Sequence, residues 1–465
     1  MEERDLVIIG GGPAGYVGAI RARQLGARIV LIERDILGGT CLNRGCIPTR
    51  TLVRSVELLE LTKRARDFGV NCGQVEMDFT WMMARKDITI KTIVGGINLL
   101  MKENGVEIVR GEARFVSPSV VEVKVADGTS REITAPKIII ATGASPQQPA
   151  VPGGRNTITT DHALELKEIP HSMLILGAGA IGLTFATIFS KLGTEVIVAD
   201  KSELMLPDVD RELVSLVERE MRKNKIPIYT DADLVAIEAA GGEKQVTLRV
   251  KGQDTILATQ HVLIADERRA NVNGLNLDDT GVSLKNDTIS VDRRMQTDVS
   301  SILAAGDVTG EPMLAHVAFT EGKVAVENAL GKEGEMDYAV VPRCIYTSPE
   351  IASVGLTEQE ALAQGYQIKV GRFPFAANGA ATTYADRAGI VKIISEVRYG
   401  QILGIHIAGT AAGDLIPEAA LAMKLDATPR EIAATIHAHP SLSEALMEAA
   451  LDVYGETIHF MSENR

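Results

Sequence analysis

Two stretches of the chain repeat one arrangement of apolar and polar positions. Leu6–Ile9 is a short apolar run that ends at Gly10. The turn Gly10-Gly11-Gly12-Pro13-Ala14-Gly15 follows, then apolar residues at helical spacing through Leu25, then an apolar run over residues 28–32 that ends at Glu33. This predicts strand, helix and parallel strand. Residues 173–176, the turn Gly177-Ala178-Gly179-Ala180-Ile181-Gly182, a helical stretch to about Leu192 and the run Glu195–Ala199 ending at Asp200 predict the same unit again. Between the two, residues 106–125 alternate as strands do, with a turn at Asp127-Gly128, and residues 137–141 form a strand leading into Thr142-Gly143. The Pro- and Gly-rich stretch 147–156 predicts a crossing between domains. Beyond about Val341 the pattern changes to strands at 390–394 and 403–407, followed by helices.

The glycine turns carry the first chemistry. A glycine-rich turn at a helix N-terminus lets backbone N–H groups approach a pyrophosphate, and the helix dipole favours its charge. Gly10, Gly12 and Gly15 serve in the first copy, and Gly177, Gly179 and Gly182 in the second. Glu33 and Asp200 each stand where a ribose-binding carboxylate belongs. One such turn alone could be plain strand–helix packing; two with matching acidic spacing argue for two dinucleotides. Asp200 favours NAD over NADP, because it would repel a 2′-phosphate. The fold class is therefore α/β, with two Rossmann-like domains and a C-terminal mixed α/β domain.

Composition narrows the class. The 465 residues allow about three domains and a large core without disulfide staples. A net charge of −13 argues against nucleic acid and anionic membrane surfaces as partners. No apolar run approaches the roughly 18 residues of a membrane span, and the start Met1-Glu2-Glu3-Arg4-Asp5 shows no targeting pattern. Four cysteines in so long a chain do not form an extracellular framework. A cytoplasmic location is expected, where a persisting disulfide is usually catalytic.

Cys41 and Cys46 lie in Gly38-Gly39-Thr40-Cys41-Leu42-Asn43-Arg44-Gly45-Cys46-Ile47-Pro48, directly after the first unit. In an unbroken helix their Cα atoms would be roughly 8–9 Å apart, beyond the about 7 Å a disulfide spans. A bridge needs a distorted turn, which Asn43, Gly45 and Pro48 permit. Two reduced core cysteines or half of a metal site are the competing readings. No second CxxC or histidine cluster lies nearby, so no metal is expected. Beside a flavin cradle the pair is most simply a dithiol that exchanges electrons with the flavin. Near the C-terminus, Ser441-Leu442-Ser443-Glu444 reads as a capping box ahead of an apolar helix, with His439 held extended by Pro440. Glu444 is then a cap, or the partner of a histidine base.

The chain resembles the pyridine nucleotide–disulfide oxidoreductases along nearly its whole length, and within them the dihydrolipoamide dehydrogenases. The likeness is carried by Gly10-Gly11-Gly12-Pro13-Ala14-Gly15-Tyr16, the two-cysteine segment, Ala141-Thr142-Gly143, Ala305-Gly306-Asp307 and His437-Ala438-His439-Pro440-Ser441-Leu442-Ser443-Glu444. The resemblance implies an FAD-binding domain over 1–147, an NAD-binding domain over 148–271, a central domain over 272–341 that completes the FAD site, and a dimerisation domain over 342–465. It places Gly39, Thr40, Arg50, Ala113, Thr142 and Gly143 on the FAD, Asp307 on its ribityl chain, and Met313, Ala315 and His316 along the flavin. Cys46 is the thiolate against the flavin, and Cys41 the interchange thiol that meets the substrate. His439, held by Glu444, takes the substrate's thiol proton across the interface of a homodimer.

Three positions depart from the family pattern. Arg50 stands where the family has a lysine, and Thr184 where it has the glutamate that pairs with that lysine. Glu267 replaces a glycine that lets NAD come close, so a carboxylate there would crowd and repel the pyrophosphate. The leading reading is an FAD-dependent enzyme that oxidises protein-bound dihydrolipoamide and passes the electrons to NAD. Two alternatives are the same dithiol–flavin chemistry with weak or no NAD use and another electron partner, and a flavin-binding scaffold or sensor without turnover.

Overall fold

The computed structural model describes residues 2–125, 127–266, 268–310 and 312–462. In the first region, β1 (Leu6–Ile9) is buried at every position. It leads into α1 (Pro13–Gln24), which starts on a proline whose missing N–H costs nothing at that position. β2 (Ile29–Glu33) returns parallel to β1, with Leu6 opposite Ile29. Two helices, α2 (Gly39–Arg44) and α3 (Cys46–Lys63), come next. The apolar pattern does not announce the long helix Phe79–Glu103 that packs beside them. β3 (Glu107–Ser117) pairs with β2 and then turns antiparallel to Val120–Val125. β4 (Ile138–Ile140) closes on β1 from the other side.

The second unit repeats the first. β5 (Ser172–Leu176), α4 (Ala180–Lys191) and β6 (Glu195–Ala199) form it, with Met173 opposite Val196. α5 (Arg211–Lys223) follows, and β7 (His261–Ile264) pairs parallel to β5. Much later in sequence, β8 (Ile302–Ala304) joins the first sheet beside β4 rather than the second. α6 (Ala315–Ala329) then packs on α1 so closely that a Cβ at Gly322 would lie 2.2 Å from the Ala14 carbonyl oxygen.

The last region is a five-stranded antiparallel sheet of β9 (Arg343–Ile345), β10 (Ile351–Gly355), β11 (Ile368–Pro374), β12 (Ile390–Glu396) and β13 (Ile402–Ala408), in the order β9-β10-β13-β12-β11. α7 (Glu444–Asp452) covers one end of it. Phe373, Ile393, Ile405 and Ala449 form its core. An ionic cluster seams this sheet to the second unit. Lys392, 1% exposed, reaches Asp210 at 2.8 Å, Glu358 at 2.7 Å and Glu212 at 3.2 Å. No helix among the described residues is long and apolar enough to cross a membrane.

Candidate dithiol and dinucleotide sites

Both glycine turns are built alike. Gly10 has φ of 106° and Gly177 of 118°, a region that favours glycine. A Cβ at Gly15 would lie 1.8 Å from the Gly10 carbonyl oxygen, and one at Gly182 would lie 1.9 Å from that of Gly177. Each helix therefore closes on its strand only without a side chain there. Gly12 and Gly179 precede the helices, and no side chain caps either one. The first N–H groups and the positive helix end are left for a ligand. Glu33 accepts the Gly11 N–H at 2.6 Å with one oxygen and the Asp35 N–H at 2.7 Å with the other. Asp200 does the same with Ala178 at 2.5 Å and Ser202 at 2.7 Å. Uncapped donors beside a buried carboxylate suit a dinucleotide in both places.

The first cradle opens into a cleft of about 710 Å³. Gly10, Gly12, Glu33, Gly39 and Thr40 form one side of it, and Ala113, Thr142 and Gly143 another. Asp307, Met313, Ala315 and His316 line it from the segment that follows β8. Asn271 stitches the Thr142-Gly143 turn in place, donating to the Thr142 carbonyl at 2.9 Å and accepting from Ser145 at 2.9 Å. The cleft reaches the second unit at Ala180, Ile181, Thr184 and Phe185. Gly15, Arg50, Gly177, Gly179, Gly182 and Asp200 lie outside its lining.

Cys41 and Cys46 both face this cleft as free thiols. The distorted turn is present: α2 ends at Gly45, whose φ of −139° and ψ of −108° break the helix before α3 begins at Cys46. Asn43 fixes the turn by donating to the carbonyls of Gly39 at 2.9 Å and Leu37 at 3.1 Å. The Cys41 thiol donates to Cys46 and holds it below the ordinary thiol range. Burial and Asp307 oppose this, while the Cys46 backbone N–H and the Arg268 cation assist. The same hydrogen bond, with burial, pushes Cys41 up. The pair thus divides into a thiolate at Cys46 and a thiol at Cys41.

The Arg50 guanidinium lies 3.2 Å from Glu57 and 3.5 Å from Glu350, and 4.5 Å from the centre of the Tyr346 ring. Burial raises the Glu350 carboxyl, and Arg50 partly offsets that. Burial also lifts Tyr346 to about 12 and Cys344 to about 11. The Thr184 hydroxyl donates to the Ala180 carbonyl of its own helix at 2.7 Å. Glu267 lies outside the described residues.

His439 and Glu444 stand apart from the cleft of their own chain. The helix begins at Glu444, not just after Ser441 as the capping box predicts. Glu444 still reaches back to the Ser441 N–H at 2.8 Å, and its other oxygen accepts from His439 Nδ1 at 2.8 Å. Burial opposes its ionisation, but these two donors hold it below the usual carboxylate range. It is cap and histidine partner at once.

Sequence reasoning missed Arg268, Tyr346, Cys344 and Glu350. Arg268 donates to the Ala144 carbonyl at 2.6 Å and lines the cleft. No spacing links position 344 or 346 to position 46. Only the docking of the last sheet on the first region brings them together.

Residues 4–322 match the model of the pyridine nucleotide-disulphide oxidoreductase family, and residues 341–450 that of its dimerisation domain. A dihydrolipoyl dehydrogenase of Bacillus subtilis is 39% identical over 98% of this chain and 99% of its own. A leghemoglobin reductase of Vigna unguiculata is 40% identical over 97% of this chain and 88% of its own. Among solved structures, LpdA of Mycobacterium tuberculosis superposes with a TM-score of 0.89 at 27% identity, covering 97% of this chain and 99% of that one. A Cu(II) complex of the HOCl-induced flavoprotein disulfide reductase RclA of Escherichia coli gives 0.87 at 27%, with the same coverage. The cofactors of the family and of its dihydrolipoyl dehydrogenases are FAD and NAD. With its two cradles, its cysteine pair and its C-terminal sheet, the chain belongs to the pyridine nucleotide-disulphide oxidoreductases, as a flavoprotein disulfide reductase of the dihydrolipoyl dehydrogenase type.

Proposed function

We propose that the protein oxidises protein-bound dihydrolipoamide, as a cytoplasmic homodimer, and passes the electrons through Cys41, Cys46 and FAD to NAD. The observation that carries this reading is the hydrogen-bonded Cys41–Cys46 pair facing the same cleft as the first cradle. Residues 1–147 and 272–341 hold FAD, 148–271 hold NAD, and 342–465 form the interface. Gly10, Gly12 and the α1 N-terminus receive the FAD pyrophosphate, Glu33 its ribose, and Asp307 its ribityl chain. Gly179, the α4 N-terminus and Asp200 do the same for NAD.

In the dithiol step, one lipoyl thiol gives its proton to Nε2 of the partner subunit's His439. The resulting thiolate attacks Cys41 Sγ and breaks the Cys41–Cys46 bond, leaving Cys46 as the thiolate. The second lipoyl thiol then displaces Cys41 as a thiol and closes the lipoamide disulfide. Two electrons stay on the pair and one proton is released. FAD held at the first cradle by Gly10, Gly12, Glu33 and Asp307 would supply the two-electron redox chemistry that links the Cys46 thiolate to NAD. Glu444 keeps the Nδ1 proton of His439 in place, so that Nε2 is the basic nitrogen.

A second reading keeps the dithiol half and gives NAD a weak role, with another electron partner. It is favoured by Thr184, whose hydroxyl is spent on its own helix, and by Arg50, which pairs with Glu350 instead. Both readings share one test. Anaerobic mixing of the oxidised, FAD-loaded protein with dihydrolipoamide should raise a long-wavelength absorbance from Cys46 beside the flavin within one turnover. Cys46→Ser should remove that absorbance while FAD stays bound. A wild-type protein that dihydrolipoamide leaves spectrally unchanged contradicts the proposal.

A further inference from the structure

Glu321 is a buried carboxylate that the dithiol chemistry does not use. It lies in α6 and is 3% exposed. Its place follows from the close approach of α6 to α1. A Cβ at the next residue, Gly322, would lie 2.2 Å from the Ala14 carbonyl oxygen. That contact draws Glu321 against the turn that follows β8. One of its oxygens accepts the Gly306 N–H at 2.7 Å, and the other accepts the Tyr338 hydroxyl at 2.7 Å. Gly306 has φ of 81°, and a Cβ there would lie 3.3 Å from that of Ala14. The turn lies beyond the last residue of β8, so a side chain rather than the sheet supplies the acceptor.

We propose that Glu321 is a positioning residue for FAD: it fixes Gly306 and so sets where Asp307 meets the ribityl chain, while Tyr338 braces it from the linker to the last sheet. The proposal rests on the reading above that Asp307 bonds that chain. Gly306 precedes Asp307 directly, so a shift of the Gly306 peptide carries the Asp307 side chain with it. Burial pushes the Glu321 carboxyl up, and the Asp307 charge adds to this, while the Tyr338 and Gly306 donors oppose it. The oxygen facing Gly306 accepts whether or not the other one carries a proton. Burial and Glu321 push the Tyr338 phenol up, so it stays a donor.

The brace has anchors of its own. Tyr338 lies in the stretch between α6 and β9. Beside it, Asp337 pairs with Lys424 of the last region at 2.6 Å. Met336 is buried and donates its N–H to the Arg293 carbonyl at 2.8 Å. Further along, His316 of α6 bonds the Pro342 carbonyl at 2.8 Å. The linker is thus laced to the last region on one side and to α6 on the other.

The test measures FAD release from the purified, FAD-loaded protein, read as the rise of flavin fluorescence after dilution. Glu321→Leu fills the site but accepts no hydrogen bond, and should release FAD at least about tenfold faster, the effect of leaving a buried N–H unpaired. Glu321→Gln keeps an acceptor for Gly306 and should stay within about twofold of wild type. Tyr338→Phe removes only the brace and should speed release by about threefold. If Glu321→Leu holds FAD as wild type does, or Glu321→Gln loses it as fast as Glu321→Leu, the residue only packs the core and the proposal fails. Where Glu321→Leu yields no folded protein, Tyr338→Phe decides, and unchanged release overturns the proposal. Asp307→Ala separates this from the reading beneath it. If Asp307→Ala leaves release unchanged, the ribityl assignment fails and the proposal with it. If Asp307→Ala speeds release and the Glu321 variants do not, only the proposal fails.

Discussion

The two glycine cradles are nearly superimposable in their wiring, yet their surroundings differ. In each, a buried carboxylate ties down the second residue of the turn, and a glycine later in the turn lets helix meet strand. The first is locked into its sheet by apolar packing, with α6 pressed against α1 at Gly322 and Ala14. The second is seamed to the last sheet by the ionic cluster around Lys392. The first opens onto the cysteine pair. The second meets the cleft only through one edge of α4, at positions where the family's ion pair is absent. A dinucleotide cradle can thus be read from a short motif, whereas the use of that dinucleotide depends on residues outside the motif.

The largest expected effect separates the cradles. Gly15→Ala drives a methyl into the Gly10 carbonyl and should yield protein without FAD and without dithiol activity. Gly182→Ala makes the same clash at Gly177, but should leave a yellow protein that dihydrolipoamide still reduces and NADH does not. FAD content and the two half-reactions, measured separately, decide this. Loss of FAD in both variants would erase the distinction.

The ionic seam comes next. Lys392→Met leaves Asp210, which is fully buried, without its cation, and should cost about 3–5 kcal/mol in denaturant unfolding. Burial opposes ionisation at Asp210, but Lys392 holds its carboxyl below the usual range. Its contribution is therefore present above the unfolded value of about 3.9 and lost as pH falls through the lower folded one. Burial likewise opposes the charge on Lys392, and Asp210 and Glu358 raise it. That contribution is full below the unfolded value of about 10.4 and lost as pH rises through the higher folded one. The stability gap between wild type and Lys392→Met should be widest between these limits and shrink outside them.

A smaller effect tests the first cleft. Cys41→Ala removes the thiol that holds Cys46 low. The long-wavelength absorbance of Cys46 beside the flavin should then titrate at a higher pH, by about one unit or more. Cys41→Ser, which keeps a donor, should shift it less. The smallest effect is expected at the second cradle. Thr184→Glu alone should change NADH-driven reduction by less than about threefold, because Arg50 is already paired with Glu57 and Glu350. Stopped-flow rates at fixed NADH check this, and a large gain would show that Arg50 is free to turn toward position 184.

Much of this was legible in the sequence, for definite reasons. The turn at Gly10 reports itself because its positive φ favours glycine, and Gly45 marks the break that lets Cys41 reach Cys46. The helix Phe79–Glu103 was not legible, since apolar residues such as Trp81, Ile88 and Leu99 stay exposed along it and blur its period. Tyr346, Glu350 and Arg268 were missed because contacts between distant elements set their place in the site. The pairing of Glu321 with the Gly306 N–H likewise depends on α6 packing against α1.

The account stands or falls on the order of the two half-reactions. The direct measurement is anaerobic reduction of the FAD-loaded protein by dihydrolipoamide, followed by titration with NAD while the flavin spectrum is recorded. The expected result is reduction by dihydrolipoamide and reoxidation by NAD, with NADP less effective. Reoxidation that NAD cannot drive would contradict NAD as the acceptor and favour the second reading, and failure of dihydrolipoamide to reduce the protein would contradict the dithiol function itself.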